Sequence, residues 1–355
     1  MTRPARVSFS PAAVRANLEV VRKLAPASKV LAIVKADGYG HGIVRMARAL
    51  SAVDALGVAS IEEAVRLREA GIELPIVLLE GPFEASELAE ITRYRLESVV
   101  HSAEQLAWFS QYEDRAPLWV KIDTGMHRLG FAPEDVPAVL GTLAANDRSV
   151  RVMTHFHSAH LAGSGSVPTQ LAEFLRTVQG AKVEHCLANS SAILQWPQTR
   201  CDWIRPGLLL YGVSPLAHAV AGELGLQPAM TVSSALISVK EVPAGGTLGY
   251  GGTWRCPERM RVGVVAFGYA DGYPRHAGTG TPILVNGVLT QVLGEPTMDM
   301  LLVDLRRVPA ARVGDPVVLW GDGLPVEEVA RHAGTIPYEL LCRMRMRAPV
   351  VEVAR

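Results

Sequence analysis

The chain has 355 residues, enough for two domains or for one barrel with an appended domain. Its 35 lysines and arginines balance 35 aspartates and glutamates, so nothing in the charge favours nucleic acid or a membrane surface as a partner. No apolar run reaches the roughly 18 residues that cross a bilayer, and the four cysteines lack the spacing of a metal site. We expect a soluble, cytoplasmic protein with reduced thiols and no signal peptide.

The first 225 residues alternate between short apolar runs and helical stretches. A short strand at 3–9 is followed by a helix over 10–24, with Pro11 at the favoured first turn. Further strands are predicted at 30–34, 54–59, 75–80, 96–100, 118–122, 151–155, 183–187 and 208–211. Helices are predicted at 61–70, 85–94, 103–112, 133–145 and 169–179. This rhythm predicts an α/β fold with a (β/α)8 TIM-type barrel. An open doubly wound sheet is the competitor, but its usual GxGxxG turn is absent.

After about residue 225 the sequence pattern changes from strand–helix alternation to short strands separated by turns. Short alternating strands are predicted at 231–240, 261–266, 282–285, 288–293, 300–304 and 316–319, with one helix over 326–333. Asn286-Gly287 is a strong hairpin signal. We therefore predict a barrel over 1–225 and a mainly β C-terminal domain over 226–355. The first few residues of the chain are candidates to pair with that β domain.

The stretch 30–42 joins a strand of branched apolar residues to a glycine-rich turn. Lys35 follows the strand directly, where desolvation would favour its neutral, nucleophilic amine. Such an amine suits a Schiff base with pyridoxal phosphate or another carbonyl compound. The alternative is a lysine that extends from the strand end into solvent.

Other polar residues are predicted at the same end of the barrel, where TIM-barrel chemistry is found. Lys121 and Asp123 end the fifth barrel strand, His155 ends the sixth, Asn189 follows the seventh, and Arg205 precedes or joins the eighth. Each is weak evidence alone, since a histidine after an apolar strand is more often structural than catalytic. Their common placement at one barrel mouth makes the joint case stronger.

Two kinds of anion site are predicted at this mouth. Asn189 and Ser190, which precede a small helix, offer donors to a phosphate, and Gly207 lets backbone N–H groups approach it closely. Tyr39 adds a phenolic donor. Arg128 suits bidentate binding of a carboxylate, although an arginine in a turn is also well explained by a surface ion pair.

The β domain contains a tyrosine, Tyr250, in a glycine-rich turn, and a dense polar loop at 265–275. Glycines beside a tyrosine allow a second chain or a cofactor to approach. A hairpin turn with an exposed aromatic side chain explains the pattern equally well.

The order and spacing of these motifs resemble the alanine racemases along nearly the whole chain. The matching segments are 30–42, 121–130, 154–156, 188–190, 204–207, 249–251, 268–275 and 298–299. The resemblance implies interconversion of L- and D-alanine with pyridoxal 5′-phosphate, a supply of D-alanine for peptidoglycan, and a homodimer with shared active sites.

The resemblance also implies individual roles. Lys35 would carry the cofactor as an aldimine and act as one acid–base group, and Tyr250 from the partner subunit would act as the other. His155 would hydrogen-bond that tyrosine. Arg205 would face the pyridine nitrogen and, because a guanidinium cannot give up a proton, keep that nitrogen neutral. Related decarboxylases use an acidic residue there, so arginine favours racemisation.

The remaining roles concern binding. Arg128 and the backbone of Met298 would bind the substrate carboxylate, and Lys121 matches a lysine that is often carbamylated to orient the arginine. The expected phosphate ligands are Tyr39, Asn189, Ser190, Gly207 and Leu208.

Some positions depart from the family pattern. Glu295 replaces a usual cation, Pro296 stiffens the loop before Met298, Met346 replaces a common tyrosine, and 157–160 lacks a common acidic residue. We expect alanine as substrate, with serine or another small amino acid as an alternative. The rival functions are a pyridoxal phosphate carrier on a similar barrel, which would lack the β domain, and a decarboxylase or aldolase on the same scaffold.

Overall fold

The computed structural model describes residues 3–112, 116–344 and 347–353. Its strands are β1 Arg6–Phe9, β2 Lys29–Ile33, β3 Ala55–Val58, β4 Ile76–Leu78, β5 Glu97–Val100, β6 Leu118–Lys121, β7 Val150–Met153, β8 Glu184–Asn189, β9 Trp203–Arg205, β10 Met230–Val242, β11 Thr247–Leu248, β12 Trp254–Arg255, β13 Met260–Val265, β14 Pro282–Val285, β15 Val288–Leu293, β16 Leu301–Asp304, β17 Pro316–Trp320 and β18 Val350–Glu352.

The helices are α1 Pro11–Leu24, α2 Lys35–Tyr39, α3 Ile43–Ala49, α4 Ile61–Glu69, α5 Leu88–Arg93, α6 Ala103–Gln111, α7 Val136–Ala145, α8 Ser166–Thr177, α9 Ser190–Gln195, α10 Val326–His332 and α11 Pro337–Cys342. Short 3-10 helices lie at Ala85–Glu87, Pro197–Thr199, Leu208–Tyr211, Ala221–Leu224, Tyr250–Gly252 and Tyr269–Asp271. Within these described residues, no helix has the length and apolar character needed to span a bilayer.

Strands β2 to β9 form a closed parallel barrel, in which β9 pairs back with β2. Strands β3 and β4 are buried throughout, because helices cover the outer face of the sheet and side chains fill the interior. Because both faces of these strands are buried, their sequences are continuous apolar runs and do not alternate with polar residues. The predicted (β/α)8 TIM-type barrel is confirmed.

One predicted strand is wrong. The eighth barrel strand is Trp203–Arg205, and the apolar run Leu208–Tyr211 forms a buried 3-10 helix. Pro206 follows β9 and has no N–H to donate, although its carbonyl still accepts from Ile33 N at 3.0 Å. Four consecutive apolar residues suit a buried strand and a buried helix equally, so the pattern alone could not decide.

The second sheet has eight strands, in the order β13-β16-β15-β14-β17-β10-β1-β18. Strand β1 from the start of the chain lies between β10 and β18, antiparallel to the first and parallel to the second. The β14–β15 hairpin turns at Asn286 and Gly287, whose φ values of 52° and 74° fit the predicted tight turn. The mainly β character of this part of the chain is confirmed.

A charged and aromatic cluster fills the barrel end at which the strands begin, opposite the mouth formed by their carboxyl ends. The Arg151 guanidinium lies 4.9 Å from the ring centre of Trp119 and 5.2 Å from that of Trp203. It also contacts the carboxylates of Glu97 and Glu184, at 2.9 and 2.8 Å. Cation–π contacts and paired charges thus seal this end.

Glu184 makes this end sensitive to acid. Desolvation would raise the pKa of Glu184, but hydrogen bonds from Lys29, Trp203 and Arg151 outweigh it and lower the pKa from 4.5 to about 2. Because the folded-state pKa is depressed, this carboxylate adds stability above pH 4.5 that is lost as the pH falls towards 2. We expect Glu184→Gln to lower the thermal midpoint at neutral pH and to flatten its decline across that acid range. Parallel pH profiles for the two proteins would contradict this.

Candidate active site

Closure of the barrel brings five predicted residues to one mouth. Lys35 follows β2, Lys121 ends β6, His155 lies just past β7, Asn189 ends β8 and Arg205 ends β9. Because parallel strands of a closed barrel point their carboxyl ends the same way, residues distant in sequence become neighbours.

His155 is the neutral centre of this group. Burial, and then the positive charges of four neighbouring cationic side chains, hold the pKa of His155 well below its ordinary 6.5. Its Nδ1 lies 3.5 Å from Nη2 of Arg205, and its Nε2 lies 3.4 Å from Nδ2 of Asn189. Both neighbouring groups are N–H donors, and a neutral imidazole accepts at only one of its two nitrogens. The other nitrogen carries the hydrogen, so His155 is able to donate as well as to accept.

Arg205 is buried and fixed by backbone carbonyls. It donates to the carbonyl oxygens of Cys186 and Thr154, both at 2.5 Å, and to that of Leu187 at 3.2 Å. These bonds hold a permanent positive charge inside the barrel mouth, and no acidic side chain of the described residues is bonded to it.

The pKa of Lys121 is lowered by burial and by the positive charges around it. Burial, and then the charges of Arg205, Arg128 and Lys35, lower the pKa of Lys121 from 10.5 to about 8. Arg128 is exposed on the following loop. The loop is shaped by Asp123, whose Oδ1 accepts three backbone N–H groups at 3.0 Å, from Gly125, Met126 and His127.

The predicted phosphate ligands also meet. Ser190 is buried, and its Oγ accepts the Gly207 N–H at 2.8 Å, which leaves its own hydrogen free to donate. A β-carbon on Gly207 would lie only 2.8 Å from the Tyr39 hydroxyl oxygen. This close approach requires glycine. Leu208 is fully buried beside them, and Asn189 caps α9 by accepting from Ala192 N at 3.0 Å.

The lysine is less buried than the sequence predicts. The Lys35 side chain is 37% exposed, and its Nζ lies 3.7 Å from Oε1 of Glu80. Glu80 follows β4, and its carbonyl accepts from His101 Nε2 at 3.0 Å. Neither Glu80 nor His101 was predicted, although both follow barrel strands. The strand-end rule that selected His155 applies to them as well.

Tyr338 is a second residue that the sequence did not indicate. It lies on α11, and its ring centre is 5.7 Å from that of Tyr39. Together with His155, it lines a cleft of about 400 Å³ at the barrel mouth. Because α11 was not predicted, no sequence signal placed this tyrosine.

Tyr250 differs from the other predicted residues. Its side chain is 77% exposed, in a turn where Gly249 and Gly251 both have a φ of 70°. Within the described part of the chain it forms no hydrogen bond, ion pair or ring contact. Tyr250 is therefore an exposed side chain that is unpaired among the residues described.

Two family models match almost the whole chain: "Alanine racemase, N-terminal domain" over residues 9–215 and "Alanine racemase, C-terminal domain" over residues 229–352. The chain belongs to the alanine racemase family. An alanine racemase of Nitrosospira multiformis is 50% identical, over 98% of this chain and 99% of that protein. A biosynthetic alanine racemase of Escherichia coli is 47% identical, over 97% of both chains.

Solved structures agree. A biosynthetic alanine racemase from Pseudomonas aeruginosa has a TM-score of 0.95 at 42% identity, over 99% of this chain and 100% of that chain. One from Bartonella henselae, with covalently bound pyridoxal phosphate, has a TM-score of 0.90 at 26% identity, over 99% of both chains. The comparisons confirm the predicted family, the enzyme class and racemisation of alanine.

The alanine racemase loop that carries Met298 is braced by buried charge. The fully buried carboxylate of Asp271 pairs with Arg3 and lies 3.5 Å from Arg347, whose Nη2 is 2.5 Å from Oδ1 of Asp299. Gly268 N donates to Asp271 at 2.9 Å. Both ends of the chain therefore stabilise this loop.

Two departures from the family pattern, Glu295 and Pro296, lie in the same loop, and residues 157–160 contribute to the cleft beside His155. Glu295 pairs with Arg275 at 2.7 Å, so an arginine of the neighbouring loop after β13 matches its charge. Met298 has a half-exposed side chain, and its carbonyl accepts from Ala270 N at 3.0 Å. Met346 lies outside the described residues.

Proposed function

We propose that this racemase works with two bases on opposite faces of the substrate, Lys35 and the Tyr250 of a second subunit. The observation that carries the proposal is the contrast between the crowded barrel mouth and the exposed Tyr250. The barrel mouth gathers groups suited to cofactor and carboxylate, whereas Tyr250 is 77% exposed and has no partner in the described part of its own chain. A two-fold dimer would place each exposed tyrosine at the other barrel.

The residues at the mouth fit pyridoxal 5′-phosphate. Lys35 would attach the aldehyde, and the phosphate would bind where Tyr39, Ser190 and Gly207 converge, beside Leu208. The relative from Bartonella henselae holds this cofactor covalently. When bound, the cofactor withdraws electrons and makes the Cα proton of an amino acid acidic.

The proposed proton steps need one side chain on each face of the substrate. One base removes the Cα proton and the other returns a proton to the opposite face, since a single side chain cannot reach both. A hydrogen bond from His155 to the Tyr250 oxygen would stabilise that oxygen as an anion. The fixed charge of Arg205 would keep the ring nitrogen unprotonated.

Substrate binding is assigned to Arg128 and the backbone N–H of Met298, which would hold the carboxylate. We propose alanine as the main substrate, with serine as a broader alternative because Glu295 and Pro296 alter the approach to Met298. A supply of D-alanine for peptidoglycan and a cytoplasmic location complete the proposal. Four free cysteines are consistent with a reducing compartment.

The proposal is tested by incubating the purified protein with pyridoxal 5′-phosphate and L-alanine in D₂O. We expect optical activity to fall while deuterium enters Cα of both enantiomers. Tyr250→Phe is expected to impair exchange from one enantiomer more than from the other, because only one face loses its base. Release of carbon dioxide would favour the decarboxylase, and cofactor binding without any exchange would favour the carrier.

Shared active sites make a separate prediction. In a heterodimer of Lys35→Ala and Tyr250→Phe subunits, one site carries both changes and the other carries neither. We expect both homodimers to be severely impaired and the heterodimer, purified with two different tags, to recover about half of the wild-type rate. A heterodimer as impaired as its parents would contradict a shared site.

Lys121 is proposed to become a carbamate. With its pKa lowered to about 8, a useful fraction of its amine is neutral near pH 7. The amine nitrogen would bond to carbon dioxide and release one proton, which replaces a cation with an anion beside Arg128. We expect ¹³C-bicarbonate to give a carbamate NMR signal in the native protein and none in Lys121→Met. No signal in the wild type would contradict carbamylation.

A further inference from the structure

The turn that begins at Lys35 has an unusual backbone. All five residues from Ala36 to Gly40 have φ between 47° and 76°, which is the left-handed helical region. Ala36, Asp37 and Tyr39 have side chains, and such residues are strained there. Contacts from outside the turn must therefore hold its shape.

The turn sets the distance between two functional groups. Lys35 stands at its beginning and Tyr39 near its end, so the turn joins the proposed cofactor amine to the hydroxyl at Gly207. If the turn relaxed to a right-handed or extended form, the Tyr39 hydroxyl would leave that position. The Tyr39 ring is held by stacking on Tyr211, with ring centres 4.7 Å apart.

His41 holds the backbone of the same turn. Its side chain is 1% exposed, and its Nδ1 lies 2.9 Å from the carbonyl oxygen of Tyr39 and 3.1 Å from that of Gly38. Carbonyls only accept, so Nδ1 carries the hydrogen. The His41 ring also lies 4.8 Å from Tyr211 and 6.2 Å from Phe9.

Burial keeps the His41 imidazole in its neutral form. Desolvation lowers the pKa of His41 to about 4, so its ring is neutral near pH 7. Nε2 has no partner among the described residues. A neutral ring with its hydrogen on Nδ1 is the form that satisfies both carbonyls.

We propose that His41 is a positioning residue whose Nδ1–H holds the left-handed turn and so places the Tyr39 hydroxyl for the cofactor phosphate. The inference rests on the proposed use of pyridoxal 5′-phosphate. His41 does not line the cleft beside His155, so it acts through Tyr39. A histidine that served packing alone would affect stability and not recognition of the phosphate.

The test compares two ligands that differ only in the phosphate. The cofactor is removed from the purified protein, and dissociation constants for pyridoxal 5′-phosphate and for pyridoxal are measured from their absorbance. His41→Phe keeps an aromatic ring against Tyr211 and loses the donor. We expect about tenfold weaker binding of pyridoxal 5′-phosphate, the usual scale for one lost hydrogen bond that leaves buried acceptors. Binding of pyridoxal should be unchanged.

Three further variants sharpen the result. His41→Gln, which keeps a donor, should recover part of the affinity. In a Tyr39→Phe background, His41→Phe should add little, since the hydroxyl that it positions is already gone. His185→Phe makes the same change beside Phe174, towards the other end of the barrel, and should leave both constants unaltered.

The outcomes separate this inference from the proposed function. Equal weakening of both ligands, or losses that simply add with Tyr39→Phe, would overturn the positioning role. Failure of the wild-type protein to bind pyridoxal 5′-phosphate would instead overturn the proposed function, and the inference with it. If His41→Phe does not fold, the ligand comparison is made on His41→Gln, where a selective loss for the phosphate ester is again expected.

Discussion

Crowding of positive charge at the barrel mouth is the constraint on which the site depends. Lys35, Lys121, Arg128 and Arg205 all act on the half-buried ring of His155. The fold forces this crowding, because a closed parallel barrel directs every strand end to one place. Like charges in a partly desolvated site repel strongly. The mouth is therefore built for anions, and a phosphate and a carboxylate are the groups that it best accommodates.

The nearby acids relieve little of this charge. Glu80 lies 3.7 Å from Lys35 at the rim, where both side chains are 37% exposed and water screens the pair. Asp123 uses one oxygen on three backbone N–H groups. Arg205 is held by carbonyl oxygens, which stabilise a cation without neutralising it. Lys121 is the group able to lose its charge, because burial first and then the neighbouring cations lower its pKa.

Much of this could be predicted from sequence, for a physical reason. Strand–helix alternation reports a parallel sheet, and the residue after each strand is at the mouth whatever the loops do. The wrong strand at 208–211 and the unpredicted Tyr338 have a different origin. A four-residue apolar run carries no period that separates strand from helix. The place of α11 against the barrel depends on packing between distant parts of the chain.

The left-handed turn marks a further limit of sequence reasoning, since only Gly38 and Gly40 indicate it. The β domain explains why one of these glycines is needed. A β-carbon on Gly40 would lie 2.1 Å from the carbonyl oxygen of Leu341, so α11 packs directly on the turn. The same helix brings Tyr338 against Tyr39. The β domain therefore braces the phosphate end of the site within one chain. In the proposed dimer it would also complete the site of the other chain through Tyr250, so that one β domain would serve two active sites.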